Sequence, residues 1–107
     1  MSSQKDEYAR VTRLLERDVA VTVGEAHRHR VRQRAAEVHT LEVDDLAAKL
    51  VDDVQQSLHD THVDTTWPTC PHHLRHPLWY RDGSWWCEQL DEQIFPLGAL
   101  PAATRPR

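Results

Sequence analysis

Long apolar runs, cysteine and positive charge are all scarce in this 107-residue chain, and each shortage excludes something. Apolar residues make up only 39 % of it, so any core is thin, and the length fits one domain or one small domain plus an appendage. A structural metal is a common remedy at this size. No stretch approaches the ~18 consecutive apolar residues of a membrane span, which predicts no membrane association. The polar start Met1-Ser2-Ser3-Gln4-Lys5 is unlike a secretory signal. A formal charge of −4 leaves no bulk attraction to nucleic acid or to a membrane surface. The two cysteines, with no export signal, predict a reducing cytoplasm, where thiolates hold metal more often than each other. Neither HExxH nor H-x-E with P-C-x-x-C occurs, Glu88 is the only acid close to a cysteine, and no internal repeat is present. The expectation is a chain with no catalysis of its own.

Chemistry is concentrated in Trp67–Cys87, WPTCPHHLRHPLWYRDGSWWC. This stretch holds both cysteines, all four tryptophans and three of the eight histidines. Zinc takes about four Cys sulfur or His nitrogen donors in a tetrahedron. Cys70 and His73 have the spacing of a knuckle, stiffened by Pro68 and Pro71. Asp82-Gly83 between aromatic runs signals a type I′ hairpin turn. With those two residues at the turn centre, Arg81 pairs with Ser84, Tyr80 with Trp85, Trp79 with Trp86 and Leu78 with Cys87. Side chains alternate along a strand, so His76, Leu78, Tyr80, Trp85 and Cys87 share one face, with His76 and Cys87 diagonal neighbours. The predicted zinc ligands are Cys70, His73, His76 and Cys87, with His72 an alternative to His73. The competing readings are two free thiols beside incidental histidines, and a Cys70–Cys87 disulfide.

The pattern WP-x-CP-x-H, then HPL, then an aromatic strand ending W-x-C resembles a motif of small uncharacterised bacterial proteins. In those, a helical segment precedes a short zinc-ribbon-like module. The resemblance covers Trp67–Cys87 closely and the helical part only in kind. The histidine steps here are one residue longer, and Glu88 stands where a proline often follows the last cysteine. The resemblance implies a zinc-binding fold and no particular activity.

The remainder reads as helix. Tyr8, Val11, Leu15 and Val19 form an apolar stripe with Leu14 beside it, and Ser3 is a candidate N-cap. Val19–Val23 continues that helix in the favoured reading, giving one long helix over about 4–39; the competing reading is a short strand ending at Gly24. Val43, Leu46, Ala47, Leu50, Val51, Val54 and Leu58 mark a second helix over about 41–60, capped by Thr40 or Asp44, with its acids mostly opposite. Arg28, Arg30, Arg32 and Arg34 form the only basic run, a solvated helix surface or a patch for nucleic acid. On antiparallel helices it would lie near Asp52, Asp53 or Asp60. His59 and His62 read as surface residues first and as spare donors second. Residues 94–101 form an apolar, proline-broken strap, and 102–107 a disordered tail.

The expected fold is mainly α with a small C-terminal β-hairpin: a two-helix hairpin over 1–64 plus a zinc-ribbon-like metal module over 65–101. The expected role is a zinc-stabilised protein-interaction module, acting on a protein partner or as a homo-oligomer. Four tryptophans are more than such a hairpin buries easily, and they suit either an interface or packing on the chain's own helices. The alternative is a zinc-dependent nucleic-acid-binding or regulatory module using Arg28–Arg34.

Overall fold

The computed structural model describes residues 3–61 and 65–102. The tail at 103–107 and the linker residues His62, Val63 and Asp64 lie outside the described residues. Three helices, α1 (Ser3–Thr22), α2 (Arg28–Val38) and α3 (Leu46–Asp60), precede three strands, β1 (Trp79–Arg81), β2 (Ser84–Cys87) and β3 (Glu92–Pro96). No helix among the described residues is long and apolar enough to cross a membrane.

The expected long helix over 4–39 is broken. Residues 19–22 are helical, but α1 stops at Thr22 and Gly24 takes φ 126°, ψ 147°. That region of backbone space belongs essentially to glycine. A single 3-10 turn, Glu25–His27, then feeds α2, which folds back along α1. Apolar spacing continues through Val23, which is why periodicity alone runs straight over the break. The reversal sets Val31 and Val38 against the stripe Val11, Leu15 and Val19, all buried.

α3 starts at Leu46 rather than near residue 41. Its N-cap is Asp45, whose Oδ1 accepts the Ala48 N–H at 3.0 Å, and neither Thr40 nor Asp44 fills that place. Leu41 and Val43 consequently sit in the preceding loop, 43 % and 39 % exposed. From Leu46 the apolar periodicity holds, burying Ala47, Leu50, Val51, Val54 and Leu58.

The turn chemistry at Asp82-Gly83 decides the sheet. Both residues have positive φ, 51° and 81°, and the register is Arg81↔Ser84, Tyr80↔Trp85, Trp79↔Trp86 as the sequence predicts. The sheet is nevertheless three-stranded, not a hairpin. Asp91, at φ 53°, turns the chain back, and β3 pairs antiparallel with β2, which becomes the central strand. Pro96 is tolerated because β3 is an edge. The register slips between Trp85 and Trp86, where Phe95 and Gln93 are the successive partners and Ile94 is the extra residue.

A single hydrophobic cluster runs from the helices into the sheet. Trp67 and Trp85 are fully buried in it, ring centroids 5.4 Å apart and edge-on. Half of the tryptophan surplus therefore packs on the chain's own helices. Trp79 stays 41 % exposed on the outer face, and Trp86 lies under the Arg81 guanidinium at 3.6 Å.

Candidate metal centre

The segment leading to the first cysteine runs beside the one leading into β1. Leu78 N–H donates to Pro68 O at 2.6 Å, and Cys70 N–H to His76 O at 3.0 Å, around the bridge Thr69↔Pro77. Two successive turns fill the loop between: His73 N–H reaches Cys70 O at 3.2 Å, and His76 N–H reaches His73 O at 2.9 Å. The prolines favour this course, since neither has an N–H to satisfy. The loop is further tied to α3. Gln55 Nε2 donates to Trp67 O at 3.1 Å and Leu78 O at 2.8 Å, and His59 Nε2 contacts Trp67 O at 2.9 Å. His59 is thus spent on the backbone beneath the loop.

The result brings Cys70, His73 and Cys87 together, their donor atoms all within 4.8 Å of one another. His73 Nδ1 lies 3.6 Å from Cys70 Sγ and 3.4 Å from Cys87 Sγ. Sulfur at about 2.3 Å and nitrogen at about 2.0–2.1 Å from a tetrahedral zinc stand roughly 3.6 Å apart. His73 Nδ1 is thus spaced from each sulfur as on a tetrahedral zinc, and the three donors lie close enough together to hold one ion. Both cysteines are buried and are free thiols, not a disulfide. Burial pushes the Cys70 thiol up; Cys87 adds to the rise, while backbone hydrogen bonds at His72 and His73 oppose it. A bound cation would reverse that balance, because a coordinating thiol is deprotonated outright.

The other predicted donors fall outside this trio. His72 is exposed. His76 is also exposed, its ring edge-on to His73 with centroids 6.2 Å apart. His76 is not among the donors that lie within 4.8 Å of one another.

The basic run is largely consumed within the molecule, though not by the acids of α3. Arg28 bonds Glu25 at 2.8 Å and Glu16 at 3.5 Å, Arg32 bonds Glu16 at 3.0 Å, and Arg34 bonds Glu37 at 3.1 Å. Arg30 reaches His27, Ser57 and Thr61 instead. Arg28 and Arg32 turn toward Glu16 of α1, Arg34 pairs within α2, and Arg30 meets α3 at Ser57, so none of Asp52, Asp53 and Asp60 pairs with the run among the described residues.

Two structural residues escape a motif reading. Asp18, fully buried, accepts Trp85 Nε1–H at 3.0 Å and Gly98 N–H at 2.7 Å on Oδ2, and Leu100 N–H at 3.1 Å and Arg17 at 2.9 Å on Oδ1. Gln55, 3 % exposed, is the second. Each is a polar residue standing on an apolar helical stripe, Asp18 three after Leu15 and Gln55 four after Val51. That position is the available signal, since a buried polar group must find partners. No protein-family model, curated protein or solved structure matches this chain.

Proposed function

We propose that this chain is a small zinc-stabilised protein-interaction module with no catalysis of its own, its metal held in a zinc-ribbon-like setting. The observation that supports it most is the spacing of His73 Nδ1 from the two sulfurs, 3.6 and 3.4 Å. Cys70, His73 and Cys87 would hold the ion, and His76 would swing in as the fourth, most exposed donor. Zinc there joins the 70–76 loop to the end of β2, a structural role. An interaction role is favoured by the exposed apolar side chains carried on this metal-held part: Leu74 at 71 %, Leu90 at 43 % and Trp79 at 41 %. A protein partner is preferred to nucleic acid because Arg28, Arg32 and Arg34 already face carboxylates, which leaves little field for phosphates.

Metal analysis after reconstitution tests the reading. About one zinc per chain is expected, with both thiols protected from a thiol reagent until a chelator is added. Substoichiometric zinc with freely reactive thiols would overturn it. Labelled single- and double-stranded oligonucleotides titrated across a salt series test the partner class. Affinity no tighter than about 10⁻⁵ M at physiological salt is expected. Submicromolar binding, lost when Arg28, Arg30, Arg32 and Arg34 become alanine in a variant that keeps its zinc, would replace this function with a nucleic-acid one.

A further inference from the structure

An open concavity lies away from the Cys70, His73 and Cys87 cluster, between the paired helices α1 and α2. It encloses about 820 Å³ and is lined by Lys5, Tyr8, Ala9, Thr12 and Arg13 of α1, Ala35, Ala36 and His39 at the end of α2, and Leu46 at the start of α3. The walls are largely apolar and small, so the helices meet without filling the space. Tyr8 closes the floor, its hydroxyl donating to Ala35 O at 2.6 Å. At His39 the ring Nδ1–H is spent on Ala36 O at 2.7 Å. Leu41 and Val43, both exposed, belong to the loop that leads from this end of α2 into Leu46.

The charge at the rim of this groove is positive and unmatched by any carboxylate within it. Arg17, Arg28, Arg32, Arg34, Lys49 and Arg81 all meet carboxylates within the molecule. Lys5 and Arg13, at the groove rim, have no carboxylate partner among the described residues, and no carboxylate lines the groove. A chain of net charge −4 thus leaves two cations uncommitted beside this apolar concavity.

We propose that this groove docks an amphipathic α-helix of a partner protein, apolar stripe on the small-residue walls and acidic flank against Lys5 and Arg13. Helix-in-groove recognition uses an apolar stripe at i, i+3, i+4, i+7, and walls of alanine let a third helix approach closely. The concavity is open to solvent, which suits a helix with a polar back better than an acyl chain. This rests on the reading of the chain as an interaction module. The two fail separately, because groove residues lie between 5 and 46 and the metal donors between 70 and 87.

The test uses the full zinc-loaded chain and two labelled peptides of about 18 residues, some five helical turns. Both carry leucine at i, i+3, i+4, i+7; one is flanked by glutamate, the other by lysine. Fluorescence anisotropy should show the glutamate peptide binding about tenfold tighter than the lysine one. The double variant Lys5→Glu, Arg13→Glu should reverse that preference, with helicity by circular dichroism and zinc content unchanged. Ala36→Trp, at an exposed wall position, should block both peptides. Binding of neither peptide, equal binding of both, or a preference the double variant leaves intact would overturn the proposal. So would displacement by sodium dodecanoate with an unchanged zinc site, which makes the occupant an acyl carboxylate. Sedimentation showing a dimer that the double variant abolishes would make it a second copy of this chain.

Discussion

The central strand β2 is fixed at two points only two residues apart, by opposite chemistry. At Cys87 a sulfur joins Cys70 and His73, within 17 residues of sequence, in a cluster of three donors close enough to hold an ion. At Trp85 the indole N–H meets Asp18, 67 residues away, in a cluster completed by donors of the chain itself. The first opens toward the exposed His76; the second is sealed, with Asp18 at 0 % exposure. Local motifs can gather a donor cluster from residues close in sequence. Joining the sheet to the helices needs a long-range polar contact that is complete when folding ends.

Breaking the sealed cluster should do the greatest damage. Asp18→Ala leaves Trp85 Nε1–H and the Gly98 and Leu100 amides without their acceptor. A buried donor left unmet costs about 1–3 kcal/mol, and breaking a buried charged contact about 3–5 kcal/mol. A loss of about 3–5 kcal/mol in urea unfolding is expected, a large share of the stability of any small domain. Zinc should not restore it. Asp18→Asn, which keeps one acceptor oxygen, should lose less.

Breaking the metal cluster should do less, and more locally. Removing zinc present at a hundredfold excess over its Kd costs about 2.7 kcal/mol by mass action. Cys70→Ser and Cys87→Ser should each abolish stoichiometric zinc and change tryptophan emission while leaving most helical circular dichroism in place. A global loss of helix in both variants would show that the two anchors are one cooperative unit.

The contrast between the anchors also governs what can be read from sequence. The hairpin register follows from Asp82-Gly83, because the turn type dictates its own backbone angles. Cys70, His73 and Cys87 are legible because soft donors at knuckle spacing are rare in so cysteine-poor a chain. Strand alternation predicts His76 on the face of Cys87, yet His76 lies in a bend before β1, where alternation no longer controls direction. The break at Gly24 was hidden because apolar periodicity runs across it, and only the reversal of the chain calls for glycine there. β3 is hidden because Glu92–Pro96 carries an acid and a proline, which an edge position tolerates. Asp18 and Gln55 show as polar intrusions on apolar stripes, but their partners lie tens of residues away.

Gln55 tests whether the floor beneath the metal loop matters without the metal. Gln55→Leu keeps the apolar bulk but leaves Leu78 O without its side-chain donor, while Trp67 O retains His59. A loss of about 1–3 kcal/mol is expected from the unmet carbonyl. Zinc affinity measured by competition should fall with it, since the same two carbonyls belong to the segments on either side of the 70–76 loop. An unchanged zinc affinity beside the lost stability would separate the loop's floor from its donors.

The smallest effect should come from the opposite side of the same sheet. Trp79 pairs in register with Trp86, but it is 41 % exposed, and the cation over the outer face sits on Trp86 rather than on it. Substitutions of surface residues away from buried contacts stay within about 0.5 kcal/mol. Trp79→Thr keeps strand propensity and should therefore leave the urea midpoint almost unmoved, while removing the tryptophan whose emission is most affected by water. Trp85→Phe, one residue pair along, keeps most of the ring packing and removes one N–H from Asp18. It should cost about 1.5–3 kcal/mol, the range for a hydrogen bond to a charged group. A Trp79 variant as damaging as the Trp85 variant would mean that the outer face carries part of the fold and is not free for a partner.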